Sequence, residues 1–595
     1  MHDTAGRSDR PGFAARYANS ILDPRLGDLE NDHSAPMQRS FLSIIGSLLA
    51  EISVTKLLFA WAFSIILPAV LLGLAPLVLT AWIEQASNRL AEAAGFGFAL
   101  VILVAAVLTW LGWRPLFRLV ETNFWSLNAL AVQPGYAFWR EATRHVIERS
   151  FTARTGAELA RMRAMSCAAA GLFLFVVAAL VVLAAWPWTR WLGSVSDIAA
   201  PHLLVIPTIA NAIVIMSIYL AVAGLVWAFA DATGDQPLDL EAFDAPSPGA
   251  RVWRVAHLSD IHVVSERYGF RIESGRAGPR GNDRLAHAMH RLASVHASEP
   301  LDLVLVSGDM TDAGISAEWA EFLDLVAQYP ALADRMLIIP GNHDVNVVDR
   351  ANPARLDLSF SPIKTLRKMR ALSAMDAVQG DRVRTVDATR PSDGPALAQM
   401  VGPQRQAIEA FADKGGLRRS AELTKLWNDS FPMILPPETS DGLGVALLDS
   451  NADTNFSFTN ALGLVSIDQA RRLTAALDAY PNARWLVALH HHLVEYPMQV
   501  DAFSERIGTA LINGAWLQRA LSPYASRLVI MHGHRHIDWI GTCGRLKIIS
   551  APSPVMGSPD GPTHFYVHSL AAGPDGSLHL LEPQRIELEA GRAKD

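Results

Sequence analysis

The chain has 595 residues, half of them hydrophobic, with a net charge of −7 and a mean hydropathy of +0.20. This length is too great for one hydrophobic core and predicts roughly two to four structural units. The residues after position 230 hold 35 Lys and Arg against 44 Asp and Glu, which excludes a nucleic-acid polymer as the expected partner, because such binding needs a basic surface.

Residues 1–50 are predicted to be a mobile cytosolic arm, because Arg, Asp, Ser, Gly and Pro are mixed there with little hydrophobic periodicity. No apolar core follows closely on a short basic start, so the arm is not a secretory signal peptide. Residues 41–50 are apolar but few, and they predict either an interfacial helix or an extension of the first membrane span.

Four uncharged apolar stretches occur within residues 51–230, and each reaches the roughly 20 residues that a helix needs to cross a bilayer. Tryptophans lie near several of their ends, as interfacial anchors do. A soluble all-helical core is the alternative, and four uninterrupted stretches argue against it. The sequence therefore predicts an all-α transmembrane domain of four helices, at residues 57–83, 93–113, 164–189 and 203–230.

The basic residues of the loops predict the orientation of these helices. The arm up to residue 56 has six Lys and Arg and the loop 114–163 has eight, whereas the two short turns have one each. Since positive charge stays on the cytoplasmic side, we expect a multi-pass inner-membrane protein with its amino terminus, middle loop and catalytic half in the cytoplasm. The only cysteines, Cys167 and Cys543, indicate no disulfide framework, which fits a reducing compartment. Topology explains the basic middle loop, with a lipid-phosphate or nucleotide site as the alternative.

Residues 231–250 are rich in Asp, Pro, Gly and Ala and predict a linker. Residues 251–595 alternate short apolar runs with amphipathic stretches, which indicates an α/β domain with its ligands at the carboxyl ends of strands. An insertion at residues 351–440 interrupts the pattern with the segment IKTLRKMRALSAM, predicted to be a basic amphipathic helix in a cap over the site. The strand candidates are residues 254–259, 303–307, 336–339, 444–448, 485–489, 528–531 and 546–550. The helix candidates include residues 283–296, 317–328, 467–477 and 515–521.

Polar side chains follow five of the candidate strands directly. The strand MLII runs into Pro-Gly and then Asn-His-Asp, three side chains that each need a partner if they are buried. An ordinary polar turn is the alternative for any one cluster, but their shared position favours a metal site. The clusters are HLSDIH with Asp260 and His262, VSGDMTD with Asp309 and Asp312, GNHD with Asn342 and His343, LHHHL with His490 to His492, and HGHRH with His534 and His536.

Oxygen and nitrogen donors without cysteine suit first-row ions such as Mn, Fe or Zn. There are enough ligands for two ions, which can hold a hydroxide between them, orient a phosphoryl group and neutralise its entering and leaving oxygens. Bound cations also allow an acidic domain to handle phosphates. One carboxylate shared by the two ions is then expected.

These blocks resemble the calcineurin-like metallophosphoesterases, whose pattern of Asp-x-His, Gly-Asp-x-x-Asp, Gly-Asn-His-Asp or Glu, a lone His after a strand, and Gly-His-x-His occurs here in order. The resemblance covers about residues 251–582, includes no part of the membrane half, and implies an α/β/β/α sandwich. It implies that one ion is bound by Asp260, His262 and His536, that the other is bound by Asn342, His490 and His534, and that Asp309 bridges them.

By the same resemblance, His343 lies over the scissile phosphate and donates a hydrogen bond or proton to the leaving oxygen, with Asp312 orienting it. A histidine beside ligands is well placed for this role because its pKa lies near the operating pH. A shift of one residue would select His491 instead of His490. Arg535 either reaches phosphate or forms an outward salt bridge, and His257 and His532 are predicted to be strand residues rather than ligands.

Within the family, GDMTDAGISAEWAEF, LLDSN, SIDQARRL and LHHH are similar to the class III cyclic-nucleotide and glycerophosphodiester phosphodiesterases. We therefore expect a membrane-anchored, cytosol-facing phosphoesterase with two divalent or trivalent ions that cleaves a phosphodiester by attack of a metal-bound hydroxide. One alternative is a pyrophosphatase or phosphatase for a lipid-linked phosphate at the inner leaflet. Another is an inactive binding module of a membrane sensor, against which the retention of His343 and all ligands argues. The expected partners are a phosphoester substrate and the lipid bilayer, and the sequence leaves the oligomeric state open.

Overall fold

The computed structural model describes residues 12–26, 66–92, 132–150, 156–265, 281–346, 361–387, 389–453, 461–497, 511–556 and 562–588. These residues form two compact units. The helical unit comprises residues 66–234, and the α/β unit comprises residues 12–26 and the described residues from Asp235 onward.

The helices and strands are numbered in chain order. The helices are α1 (Phe13–Ala18), α2 (Leu67–Glu92), α3 (Gln133–Ser150), α4 (Gly156–Ala185), α5 (Val195–Ala199), α6 (Val205–Thr233), α7 (Gly281–Ser298), α8 (Ser316–Ala327), α9 (Pro330–Ala333), α10 (Asn342–Val345), α11 (Pro362–Gln379), α12 (Leu397–Val401), α13 (Arg405–Lys414), α14 (Leu417–Ser430), α15 (Ile467–Ala479) and α16 (Gly514–Leu521). The strands are β1 (Pro237–Asp239), β2 (Val252–Leu258), β3 (Leu303–Val306), β4 (Met336–Ile338), β5 (Arg384–Thr385), β6 (Met433–Leu435), β7 (Leu443–Leu447), β8 (Arg484–Ala488), β9 (Leu528–His532), β10 (Trp539–Cys543), β11 (Leu546–Ser550), β12 (Thr563–Ala572), β13 (Leu578–Leu580) and β14 (Gln584–Leu588).

Three helices of the helical unit are long and apolar enough to cross a membrane. The stretches are Leu67–Gln85 in α2, Ala160–Trp188 from α4 onward, and Pro201–Thr233 ending with α6, with mean hydropathies of 1.8, 2.8 and 2.3. They correspond to the first, third and fourth predicted spans. The second predicted span, residues 93–113, and the apolar segment 41–50 lie outside the described residues.

A buried asparagine joins two of these apolar helices. Asn211 in α6 donates through Nδ2 to the carbonyl oxygens of Gly73 in α2 and of Arg190, at 3.2 and 2.6 Å. Gly73 permits this approach, because a Cβ there would lie 2.2 Å from the carbonyl oxygen of Thr208. Small residues and interhelical hydrogen bonds of this kind hold helices together where lipid offers no hydrophobic drive between them.

The basic helix α3 is held within the helical unit by ionic and polar contacts. Asp231, near the end of α6, accepts hydrogen bonds from Arg140 Nη1 and the Tyr136 hydroxyl at 3.1 and 3.0 Å. Arg140 also contacts Glu141 at 3.1 Å. The Arg140 side chain of the predicted basic loop is therefore engaged inside the unit.

The α/β unit is built on two mixed sheets. The larger has the strand order β1-β10-β11-β9-β8-β7-β6-β5, and the smaller has the order β13-β12-β2-β3-β4 with β14 paired to β12. Strands β2, β3 and β4 are parallel, as are β7, β8, β9 and β11. Each of the seven candidate strands coincides with a strand of these sheets, whereas β1, β5, β6, β10 and β12 to β14 were not predicted.

Alternation along β8 shows how the core is divided. Leu486 and Ala488 lie in a cluster that the two sheets share, whereas Trp485 and Val487 lie in a second cluster with residues of α15 and α16. Successive side chains of a strand point to opposite faces. A strand that is covered on both faces is therefore expected to be apolar, as this one is from Trp485 to Ala488.

The structure differs from the predicted organisation in three places. Residues 12–26 are not a mobile arm, because Phe13, Tyr17 and Ile21 are buried in the core of the α/β unit. The predicted linker contains β1, which pairs with β10. The described part of the insertion is no cap, since α11 is buried on nearly all sides and β5 and β6 extend the larger sheet.

Candidate metal centre

The predicted ligands lie directly after parallel strands. Because β2, β3 and β4 are neighbours in one sheet, and β8 and β9 in the other, their carboxyl ends bring these side chains together. Every one of them is buried or half-buried. Asp260 and His262 follow β2, Asp309 follows β3, Asn342 follows β4, His490 follows β8, and His534 and His536 follow β9.

The first group consists of Asp260, His262 and His536, whose potential ligand atoms lie within 4.8 Å of one another. His536 Nε2 is 3.3 Å from Asp260 Oδ1 and 3.3 Å from His262 Nε2. These are the three residues that the resemblance assigns to one ion.

The second group combines Asp309, His490 and His534, again within 4.8 Å. His490 Nε2 lies 3.1 Å from Asn342 Oδ1 and 3.1 Å from His534 Nδ1, so the amide joins the same cluster. Of the two histidines left open by the sequence, the structure brings His490 to this position. The neighbouring His491 instead contacts the Ser450 hydroxyl through Nδ1 at 2.9 Å.

Asp309 lies between the two groups. Its Oδ2 is 3.7 Å from His262 Nε2 and 3.3 Å from His490 Nε2. It is also within reach of His343, with which it and His262 form a third set of close donors. A carboxylate in this position is able to serve both groups.

The backbone is strained at five of these residues. Asp260, His262, Asp309, His534 and His536 have φ values of 54°, 47°, 52°, 78° and 54°, and within the described ranges they are the non-glycine residues with positive φ. This left-handed conformation is unfavourable for residues with a Cβ and persists only where surrounding structure imposes it. Backbone strain is thus concentrated on the predicted ligands.

Two glycines allow the loops to approach this closely. Gly308, with φ of 107°, leaves no room for a side chain, since a Cβ would lie 2.3 Å from His490 Nδ1. A Cβ on Gly341 would lie 2.0 Å from Asp309 Oδ1. The glycines of the Gly-Asp and Gly-Asn motifs are therefore required by packing against the site.

The electrostatics of the cluster favour ionised carboxylates. Burial alone would raise the pKa of Asp309, but His490 and His343 outweigh it and hold that pKa well below its ordinary value. Burial would lower the pKa of His490, yet the Asp309 carboxylate outweighs it and raises that pKa to about 9. Burial, together with the three histidines at 490–492, places the pKa of His534 well below its ordinary value, so this imidazole is neutral with a free lone pair.

His343 is oriented by a main-chain group. Its Nδ1 lies 2.6 Å from the carbonyl oxygen of Asp312, and since a carbonyl only accepts, Nδ1 carries the hydrogen. The Asp312 carboxylate instead faces His262 Nδ1 at 3.4 Å. Asp312 was predicted to orient His343 through its carboxylate, and this prediction is wrong. The main-chain carbonyl of Asp312 faces His343, and the carboxylate faces His262.

The part of the chain that carries these residues matches a known family. The sequence profile of the calcineurin-like phosphoesterase family matches residues 254–538. The chain carries a calcineurin-like phosphoesterase domain. The matched range includes every predicted ligand.

A curated relative of the phosphoesterase domain is the 3',5'-cyclic adenosine monophosphate phosphodiesterase CpdA of Pseudomonas aeruginosa. It is 31% identical over 152 residues, which make up 25% of this chain and 52% of CpdA. The chain thus spans about half the length of that relative.

A search of solved structures finds similarity to a dimetal phosphatase from Danio rerio and to a purple acid phosphatase from yellow lupin (Lupinus luteus). The first is 13% identical with a TM-score of 0.32 and covers 57% of this chain and 99% of its own. The second is 13% identical with a TM-score of 0.29 and covers 58% of this chain and 53% of its own.

The phosphoesterase domain contains donor atoms that fit metal ions. His534 Nε2 is buried and makes no hydrogen bond to any residue that the structure describes, and Asp260 Oδ1 faces His536, which is itself a predicted ligand, at 3.3 Å. Buried polar atoms are rarely left without a partner in proteins. Two imidazole nitrogens and a carboxylate oxygen held within 4.8 Å of one another, without thiolates, are a donor set that suits Mn, Fe or Zn.

Sequence analysis missed one important side chain of the phosphoesterase domain, Asp344. Its fully buried carboxylate accepts hydrogen bonds from Gly341 N at 2.8 Å, and from Thr311 N and Oγ1 at 2.9 and 2.7 Å. Burial, followed by the nearby Asp309, raises its pKa to about 6. Asp344 thus ties the loop after β4 to the loop after β3. Its place in the Gly-Asn-His-Asp motif was the available signal.

Three other residues resolve alternatives left open by the sequence. Arg535 does not extend outward, since its buried guanidinium lies 3.6 Å from Glu495 Oε2 and over the Tyr496 ring. His257 lies in β2 and contacts the Ser307 hydroxyl at 2.9 Å, and His532 ends β9. Within the described chain, neither histidine belongs to a group of potential metal ligands.

Proposed function

We propose that this protein is a membrane-anchored, dinuclear-metal phosphoesterase that hydrolyses a phosphodiester. The observation that carries the proposal is the concentration of left-handed backbone on five residues whose side chains converge around Asp309. Strain of this kind is retained where function requires it.

The residues fit two ions. Asp260, His262 and His536 would hold one, Asn342, His490 and His534 would hold the other, and Asp309 would serve both. When bound, two such ions supply Lewis-acid chemistry, which activates water and neutralises charge on a phosphoryl group. The chain's own contribution is to hold the donors on strained loops, with the Asp312 carboxylate fixing the orientation of His262.

His343 would act on the leaving group. The Asp312 carbonyl accepts the hydrogen of Nδ1, which leaves Nε2 as the atom available to a substrate. When the imidazole is protonated, this atom can donate to the departing oxygen and so prevent the build-up of charge there. His343 is half-buried, so it keeps access to solvent and substrate.

The proposed substrate is a cyclic nucleotide or a glycerophosphodiester. Support comes from the relative CpdA, which is a 3',5'-cyclic adenosine monophosphate phosphodiesterase. The second candidate is a phosphatase or pyrophosphatase for a lipid-linked phosphate, which the three apolar helices of the helical unit favour. An inactive binding module of a membrane sensor is the candidate of another class.

The proposed location is the inner membrane, with the phosphoesterase domain in the cytoplasm. The excess of Lys and Arg in the arm and the middle loop supports this orientation. Cysteine labelling from either side of sealed vesicles would test it, with single cysteines placed in the domain.

The deciding experiment uses the full-length protein in detergent with Mn and bis(p-nitrophenyl) phosphate. We expect turnover that EDTA abolishes, that added Mn restores and that His343→Ala reduces. Cyclic nucleotides, a glycerophosphodiester and a lipid-linked diphosphate are then compared at equal concentration. If the intact protein turns over none of these, the binding-module candidate replaces the enzyme.

A further inference from the structure

The amino-terminal segment of the α/β unit, residues 12–26, is packed as part of that unit and is named the strap below. Phe13, Tyr17 and Ile21 have exposed fractions of 1%, 5% and 3%. They recur at intervals of four residues along α1 and just beyond it, so they share one face. The strap is therefore docked by an apolar stripe.

Polar contacts join the strap to helix α11. Arg16 donates to the carbonyl oxygens of Ala377 and Val378 at 2.9 and 3.0 Å, at the end of that helix. Leu22 N donates to the Ser373 hydroxyl at 2.8 Å. Arg16 and Leu22 of the strap are thus hydrogen-bonded to two successive turns of α11.

Further contacts join the strap to helices on either side of α11. The Tyr17 hydroxyl donates to Asp324 in α8 at 2.8 Å. Arg405 in α13 donates to the carbonyl oxygens of Ser20 and Asn19 at 3.0 and 2.5 Å. The strap thereby crosses α8, α11 and α13.

The same helix α11 also contacts the two loops that flank His343. Arg370 donates through Nη1 to the carbonyl oxygen of Gly314 at 2.9 Å, two residues after the carbonyl that orients His343. Arg367 donates to the carbonyl oxygen of Asn346 at 2.7 Å, just after the helix that carries His343. Both guanidinium groups are buried, with exposed fractions of 4% and 3% for Arg370 and Arg367.

A cavity of about 390 Å³ separates the end of the strap from this support. Its wall includes Ser20, Leu22, Trp319 and Arg370. Arg370 therefore has open volume on one side and the Gly314 carbonyl on the other. Free volume beside a positioning side chain leaves it room to move when the strap moves.

We propose that Arg370 positions His343 for catalysis and that docking of the strap keeps Arg370 in place, so that release of the strap lowers turnover. The activity part of this proposal rests on the proposed phosphoesterase function. Since Arg367 and Arg370 of α11 act through the loops around His343, their effect is expected on the rate constant of the chemical step. Misplacement of a catalytic group by about 1 Å lowers rates by roughly a hundredfold, and a partial shift is expected to cost about tenfold.

The first test compares Arg370→Ala with Arg370→Lys in full-length protein. We expect kcat to fall about tenfold in the alanine variant, with KM and Mn content unchanged. The lysine variant, which can still donate to Gly314, should recover most of the loss. Arg418→Ala, at an exposed arginine in the same insertion, is the matched control and should leave kcat unchanged. Equal kcat in the alanine variant and the wild type would overturn the positioning role.

The second test removes residues 1–26 from the full-length chain and adds a synthetic peptide of residues 12–26. We expect the same loss of kcat, a saturable recovery with peptide, and faster amide exchange in α11 and the loop at Gly314. Arg405→Ala, which removes two contacts to the strap, should show a smaller change in the same direction and serves if the truncated chain does not fold. Full kcat together with unchanged exchange would refute the strap.

Hydrogen exchange separates this proposal from the proposed function. If the intact protein hydrolyses no phosphoester, the proposed function fails, while faster exchange on removal of the strap would still support the mechanical link. If the enzyme is active but amide exchange does not change when the strap is deleted, the proposed role of the strap is refuted and the proposed function is not.

Discussion

Two regions of the phosphoesterase domain bury polar side chains, and they differ in whether the chain itself satisfies them. At the strand ends, His534 Nε2 has no hydrogen-bond partner among the described residues, and Asp260 Oδ1 faces another predicted ligand, His536, at 3.3 Å. Along α11, by contrast, Arg367, Arg370 and Gln379 each donate to a main-chain carbonyl.

This difference distinguishes the candidate metal centre at the strand ends from α11, which supports the loops around it. Leaving a buried polar atom without a partner is unfavourable by about 1–3 kcal/mol, so several such atoms in one place indicate partners that are not part of the chain. Charged groups that are paired with carbonyls need nothing further. Burial of charge by itself therefore does not identify a site.

The largest effect that bears on this comparison is expected from Asp309→Asn. The change removes the charge that both ligand groups share, and activity should fall roughly a thousandfold or more, beyond the 10²–10³ typical of removing one electrostatic contact. Bound Mn, measured by mass spectrometry, should fall with it. Asp468→Asn, at an exposed aspartate in α15, is the control. Retention of both ions in the asparagine variant would contradict the bridging position.

His343→Ala is expected to lower kcat by about 10²–10³-fold, because proton transfer in the transition state is typically worth about 10²–10⁴. Its metal content should stay equal to that of the wild type, since His343 is oriented by Asp312 and lies beside the ligands. If metal content and activity fell together, His343 would be a metal ligand and would not be the proton donor proposed above.

Gly341→Ala should lower kcat by roughly a hundredfold. The added Cβ would lie 2.0 Å from Asp309 Oδ1, so the carboxylate or the loop must move. Gly402→Ala is the matched control, because a Cβ there meets nothing within 4 Å. Similar activity of the two alanine variants would show that the site tolerates displacement of its central carboxylate.

The smallest effect is expected from Asp376→Asn. Asp376 differs from the other buried polar residues named in α11, because one of its oxygens has no hydrogen-bond partner among the described residues. Asp376 Oδ1 is buried without a hydrogen bond among the described residues, and burial, with the nearby Asp381, raises its pKa to about 6. At pH 7.5 the folded state therefore carries an unfavourable charge, which it loses by taking up a proton as the pH falls from about 6 to 4. The asparagine variant should be more stable at pH 7.5 by about 2–3 kcal/mol, and thermal melts should show this advantage vanishing near pH 4. If Asp376→Asn and the wild type have equal melting temperatures at both pH values, the Asp376 carboxylate is stabilised by a partner in the folded state.

The sequence predicted well which side chains come together, because each of them follows an apolar strand within a few residues. His490, His534 and Asp260 needed only the rule that parallel strands end at one edge. The error at Asp312 arose because a residue offers both a carboxylate and a carbonyl, and the backbone turn decides which of them faces His343. Composition cannot express that choice.

The strap and strand β12 were missed for a different reason. Residues 12–26 look polar and irregular, and their apolar stripe of Phe13, Tyr17 and Ile21 acquires meaning only against α11, which lies about 350 positions later. Strand β12 pairs with β2 across a similar separation. Local pattern is informative about local structure, and contacts between remote segments stay hidden from it.

The pairing of β2 with β12 determines when the smaller sheet can be completed during protein synthesis. The smaller sheet places β12 against β2, roughly 300 residues upstream, and at translation speeds of about 5–20 residues per second the ribosome needs about 15–60 s to make the intervening chain. His534 and His536 also emerge late in this interval. A nascent polypeptide therefore lacks part of the candidate metal centre until its apolar helices have long left the ribosome, and any ion that binds there would bind late in biogenesis.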